Sequence, residues 1–183
     1  GRDGVRLELL RESLASETPS LIYLMPTFQN PTGVVMPEKN RREMVRLAEE
    51  KQIPIIEDNT LADLDHGQLP PPPLGSFARS APVLTIGSLS KLLWGGLRVG
   101  WIRAPEPIIS RLARFKVMAD LGSSLVSQAI AARLLPRARA IREIRRRELR
   151  GAQVYWLLLT SGVRTYRLLP VFWRDFHPRY DLP

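Results

Sequence analysis

Four short stretches hold the side chains whose types and spacing could do chemistry. They are "QNPTG" (29–33), "EDNTLADL" (57–64), "SLSK" (88–91) and Arg98. Each follows or opens an apolar run that reads as a strand, and in open α/β sheets ligands bind beyond the carboxyl ends of the strands. Taken singly, each has an ordinary explanation. Asn-Pro-Thr-Gly makes a good turn, and Asp-Asn is common loop chemistry. Ser-x-x-Lys also occurs in serine acyl-transfer enzymes, but no Ser-Asp-Asn or Lys-Thr-Gly partner accompanies it here.

The elements that must position these groups alternate along the chain. Strands are predicted at 21–25, 53–58, 82–88 and 98–104. Helical patterns cover 37–52, with Met44, Leu47 and Ala48 on one face, and then 106–118, 122–135 and 137–158. "PPPP" (70–73) fits neither a helix nor a central strand and reads as an extended connector. Strands separated by helices imply an α/β fold with a largely parallel sheet. Glu57 and Asp58 sit at a strand end, where alternation sends them to opposite faces. The last stretch, from Gly162, shows no clear period.

Order and spacing together carry a resemblance. "PTFQNPTGVVMPEKNRREMVRLAEEKQIPIIEDN" and "IGSLSKLLWGGLRVGWIRAP" resemble the fold-type I pyridoxal-phosphate (PLP) enzymes of the class I/II aminotransferase group. They are most like the aminotransferase-like domain of MocR-type (GntR superfamily) transcriptional regulators. The likeness spans roughly residues 3–150. It implies part of a three-layer αβα large domain over 1–136, with a connecting helix and the start of a small C-terminal domain over 137–183.

The resemblance also implies roles. Lys91 matches the lysine that forms a Schiff base with the cofactor aldehyde. The other lysines, Lys39, Lys51 and Lys116, fall on helical surface patterns. Asp58 matches the carboxylate that keeps the pyridine nitrogen protonated. Asn30 matches the residue that hydrogen-bonds the ring 3′-oxygen, with Pro31 and Gly33 shaping its turn. Ser88, Ser90 and Arg98 match the phosphate grip, Arg98 through its planar fork. The implied ligands are amino acids or amines, and the implied assembly is a homodimer. Either parentage fits: an effector-sensing regulator or a free-standing aminotransferase.

The chain departs from the pattern at Thr60 and Leu61, where the family carries a tyrosine that also reaches the 3′-oxygen. Binding with altered ionisation of the Schiff base is expected. The phosphate-cupping helix start and the ring-stacking aromatic would lie before Gly1. A DNA-binding winged-helix domain would lie outside this sequence. Ser123 and Ser124 read either as partner-subunit phosphate contacts or as helix caps.

Bulk properties narrow the alternatives. The chain has 183 residues, no cysteine and only two histidines, His66 and His177, far apart. Disulfides and thiolate metal sites are therefore excluded, and no metal is expected. No run of about 18 apolar residues indicates a membrane span, and a cytoplasmic location is expected. A net charge of +9 raises a second reading, a basic nucleic-acid-binding module. Much of the excess lies in "RLLPRARAIREIRRRELR" (133–150), which patterns as an amphipathic helix with a solvated basic face. A third reading is a truncated, inactive piece.

Overall fold

The computed structural model describes residues 4–64, 69–120 and 122–144. Four strands form one sheet in the order β1 (Ile22–Leu24), β2 (Ile55–Asp58), β3 (Val83–Ser88) and β4 (Gly100–Arg103). The first three are parallel, with Ile22 opposite Ile55 and Ile55 opposite Val83. β4 returns antiparallel to β3, pairing Ser88 with Gly100. Only about ten residues separate β3 from β4, too short a span for a helical crossover, so the chain turns back instead.

Alternation along the strands gives the sheet two unlike faces. Leu24, Ile55, Glu57, Val83 and Thr85 are buried on one face. Tyr23, Ile56, Asp58, Leu84, Ile86 and Ser88 point the other way and keep partial exposure.

Helices α1 (Leu7–Ser16) and α2 (Glu38–Glu50) supply the cover for the buried face. Their Leu7, Met44, Val45 and Ala48 join Leu24, Ile55, Leu74 and Val83 in one core cluster. α2 begins after Pro37, whose extended backbone suits a helix entry, and places Glu38 in the first turn. Its buried stripe is Arg41, Met44, Val45 and Ala48, the i, i+3, i+4, i+7 spacing of a core-facing helix. α1 carries Leu7, Leu10 and Leu14 on the same logic and is absent from the sequence expectations.

The arginine in the α2 stripe is the unusual member. Arg41 and Glu57 are both fully buried, 4.0 Å apart. The guanidinium donates to Met36 O (2.9 Å), Pro26 O (2.9 Å), Thr27 Oγ1 (2.8 Å) and Pro72 O (3.2 Å). Glu57 accepts from Leu74 N (2.8 Å) and Thr85 Oγ1 (2.9 Å). A buried charge is tolerable only with such complete pairing. The pair therefore ties α2, the segment after β1, the end of β2 and the polyproline segment to one another. That segment is extended as expected and ends in a 3₁₀ turn at Leu74–Ser76.

The remaining helices are α3 (Glu106–Asp120) and α4 (Leu125–Leu134). A 3₁₀ turn at Leu135–Arg137 follows, and residues 138–144 are helical again. The rest of the predicted 137–158 helix and the tail lie outside the described residues, as do Asp65, His66 and His177. Ser124 caps α4, accepting the Ser127 N–H at 3.2 Å. The cap reading of that serine holds.

Candidate functional site

Three of the predicted groups stand on the carboxyl edge of the parallel strands. Asp58 ends β2 and Ser88 ends β3, while Asn30 lies in the turn that follows β1. The loop from Leu89 to Val99 carries Ser90, Lys91 and Arg98. It is pinned from both sides: Leu89 N–H donates to Val99 O (3.0 Å) and Leu93 N–H to Leu89 O (2.8 Å). Leu89, Leu92 and Leu97 are buried in a cluster with Ala131 of α4. These apolar anchors leave Lys91 outward and exposed. The Ser88 hydroxyl accepts the Ser90 N–H at 3.2 Å, which closes the turn and leaves its own proton free to donate.

Arg98 departs from expectation. It is not the first residue of a strand but the cap of the 3₁₀ turn Gly95–Leu97, two residues before β4, in the left-handed conformation at φ 53°. A residue with a side chain rarely sits there. Phe28, before the Asn30 turn, shares that region at φ 53°. Two of the three such non-glycine residues among those described thus flank the proposed site, a placement typical of backbone constrained for function.

The Asn30 turn is braced from within. Gln29 accepts at its side-chain oxygen from Thr32 N (3.2 Å) and donates its amide to Asn30 O (2.6 Å). Gly33 takes φ 69° and donates to Gln29 O (2.6 Å), a conformation that favours glycine. Gln29 thus shapes this turn together with Gly33. The Asn30 side chain is left exposed.

Asp58 is the most closely held member. Its Oδ2 accepts from the Tyr23 hydroxyl at 2.7 Å and its Oδ1 from Thr60 N–H at 2.9 Å. Partial burial pushes the carboxyl pKa up, but the Tyr23 and Thr60 hydrogen bonds outweigh it and the net direction is down. Asp58 is thus an ionised acceptor. Next to it, Asn59 has a buried side-chain oxygen with no donor among the described residues. Glu57 points to the opposite face, as alternation requires.

The other titratable groups separate cleanly from the site. Lys39 and Lys51 lie at the exposed surface of α2 and its end, and Lys116 pairs with Asp120 on α3 at 2.5 Å. Asp63 pairs with Arg142 at 2.6 Å. One arginine of the basic helix is therefore already engaged, while Arg145, Arg146 and Arg150 lie outside the described residues. Among the described residues no cluster of His, Cys, Asp or Glu could hold a metal, and no helix is long and apolar enough to cross a membrane.

The fold and the sequence both have known relatives. The chain is 37% identical to the HTH-type transcriptional regulator YisV of Bacillus subtilis, over 96% of the chain and 38% of the regulator. It is 35% identical to the 2-aminoadipate transaminase of Thermus thermophilus, over 74% of the chain and 35% of the enzyme. The chain thus spans between about a quarter and two fifths of the length of the curated relatives it matches. Among solved structures, it superposes on LysN, the α-aminoadipate aminotransferase of Thermus thermophilus complexed with N-(5'-phosphopyridoxyl)-L-leucine. That match has a TM-score of 0.77 and 32% identity over 90% of this chain and 44% of LysN. The kynurenine aminotransferase of Pyrococcus horikoshii matches at TM-score 0.73 and 28% identity, over 82% and 38% of the two chains. Residues 4–155 match the family model of aminotransferase class I and II, so this chain is a member of that pyridoxal-phosphate-dependent family.

Proposed function

We propose that this chain is the cofactor-holding part of an aminotransferase-like domain that binds PLP on the carboxyl edge of the sheet and takes an amino acid or amine as its ligand. The observation that carries the reading is Asp58, an ionised, hydrogen-bonded carboxylate at a strand end. The donor set fits the cofactor. Asp58 can face a protonated ring nitrogen, Asn30 a ring oxygen, and Ser88, Ser90 and Arg98 a phosphate dianion. Lys91 offers an exposed primary amine on a loop fixed by buried leucines, suited to a covalent bond with an aldehyde.

Bound there, PLP supplies an electron-accepting ring that stabilises charge developing at the ligand's α-carbon. The chain's own part is to hold and to move protons. Asp58, as an ionised acceptor, would hold a proton at the ring nitrogen, and the Lys91 amine would be the base for the ligand's α-proton. Arg98 and the two serines fix the cofactor at its phosphate end.

Similarity to YisV over nearly the whole chain supports the regulator parentage over the free-standing enzyme. In that reading the domain senses an amine in the cytoplasm as a homodimer, and DNA is bound by another part of the protein. Residues 1–136 would belong to the large domain and 137–183 to the connection toward the small one. The test is absorbance. Adding PLP should produce a visible band that shifts when amino acids or amines are supplied. A band that never forms, or forms equally in Lys91→Ala, would overturn the reading.

A further inference from the structure

The tyrosine that the family carries after the cofactor aspartate is missing at Thr60 and Leu61, yet a different phenol reaches that aspartate. Tyr23 lies on β1, opposite Ile56 of β2 in the parallel register. It therefore shares a face with Ile56 and Asp58. Asp58 is two residues further on, about 6.6 Å along the strand. A phenol leaning along the strand spans that offset; serine, threonine or asparagine at position 23 would fall short. The hydroxyl donates to Asp58 Oδ2 at 2.7 Å.

We propose that Tyr23 is a positioning residue for Asp58: its hydroxyl holds the carboxylate in one orientation, ready to accept from the cofactor ring. This rests on the PLP reading for its purpose, though not for its geometry. A carboxylate has about four lone-pair sites. Tyr23 takes one on Oδ2, the Thr60 N–H takes one on Oδ1, and the Thr60 side chain adds a third hydrogen bond, which leaves room for a further donor. With donors on both oxygens the side chain cannot turn without losing one of them. On the far side of the strand Glu57 serves a different partner set, Arg41, Thr85 and Leu74, so the Tyr23 phenol is the donor that reaches Asp58 from the neighbouring strand. The coupling is visible from both ends. The hydrogen bond to Asp58 is the main cause holding the Tyr23 phenol above its ordinary value, followed by burial and the nearby charge, while Asp58 is held below its own. Tyr23 is 57% exposed, so its hydroxyl contributes little to the core and can be removed without unfolding the chain.

The experiment compares the unaltered protein with Tyr23→Phe and Asp58→Asn, first free of cofactor and then with PLP added. Carboxyl titration by carbon NMR should show Asp58 moving up in pKa in Tyr23→Phe. Phenol absorbance should show Tyr23 moving down in Asp58→Asn. PLP should then bind Tyr23→Phe roughly two- to ten-fold more weakly, the range for one hydrogen bond. An Asp58 titration unchanged by Tyr23→Phe would overturn the proposal. So would a shifted titration with unchanged PLP affinity, because the hydrogen bond would then do nothing for the cofactor. If the unaltered protein binds no PLP while both titrations shift as stated, the cofactor reading fails and the Tyr23–Asp58 coupling stands.

Discussion

Glu57 and Asp58 are consecutive carboxylates on one strand, and they have opposite fates. Glu57 is fully buried, faces Arg41, and receives N–H and O–H donors from the 3₁₀ turn and β3. Asp58 faces the open side, is partly exposed, and receives the Tyr23 phenol and the backbone N–H and side chain of Thr60. The alternation of a strand separates a group that fastens the fold from a group free to meet a ligand. Charge alone does not mark a site; what remains unclaimed around the charge does. Every donor near Glu57 is committed to the protein itself. Asp58 keeps acceptor capacity open, and Lys91, Arg98 and Asn30 are exposed on the loops that follow β3 and β1.

Substitutions on the two faces should therefore separate stability from binding. Removing the partner of the buried carboxylate should have the largest effect. Arg41→Ala leaves Glu57 without its counter-ion and frees four acceptors, and chemical denaturation should show a loss of about 3–5 kcal/mol. Gly87 lies on the same face, under the indole of Trp101. An added Cβ would sit 2.1 Å from Trp101 Cε2, so Gly87→Ala must expel the ring and should lose about 1–3 kcal/mol in the same assay. On the open face, Asp58→Asn should change stability by no more than about 1 kcal/mol while weakening PLP binding at least about ten-fold. Its sign with pH is fixed: a carboxyl held low in the folded state stabilises above the unfolded value of about 3.9, and that contribution fades as pH falls through the lowered folded value.

The smallest effect should come from a surface carboxylate that touches neither face. Hydrogen bonds from Arg46 and then Arg11 outweigh slight burial and lower the Glu43 pKa to about 2. Glu43 reaches α1 through Arg11 and pairs with Arg46 on its own helix, α2. Its contribution is present above the ordinary 4.5 and is lost as pH falls toward 2. Glu43→Gln should flatten the stability profile across that window and leave neutral-pH stability within about 1 kcal/mol, because exposed ion pairs contribute little.

Much of this was legible in the sequence, for physical reasons that differ by element. The strands of the parallel set and α2 announce themselves by apolar runs and helical spacing, and the Lys91 loop by serines, a lysine and a glycine pair. The opposite faces of Glu57 and Asp58 follow from alternation alone. Arg41 was not legible, because a charge in an amphipathic stripe reads as surface until its five-fold partner set is seen. Tyr23 was not legible either. Its partner is 35 residues away, and only the parallel register brings the two into reach. The direction of β4 and the left-handed Arg98 depend on how the loop from Leu89 to Val99 closes, which composition does not specify. α1 had a readable signal in Leu7, Leu10 and Leu14.

The central claim is that Lys91, among the four lysines of the chain, is the covalent anchor for PLP. Incubation with PLP, reduction with borohydride and peptide mapping test it directly. The account predicts the reduced pyridoxyl label on Lys91, with Lys39, Lys51 and Lys116 unlabelled at stoichiometric PLP. A label spread over the helix-surface lysines, or absent from Lys91, would contradict it.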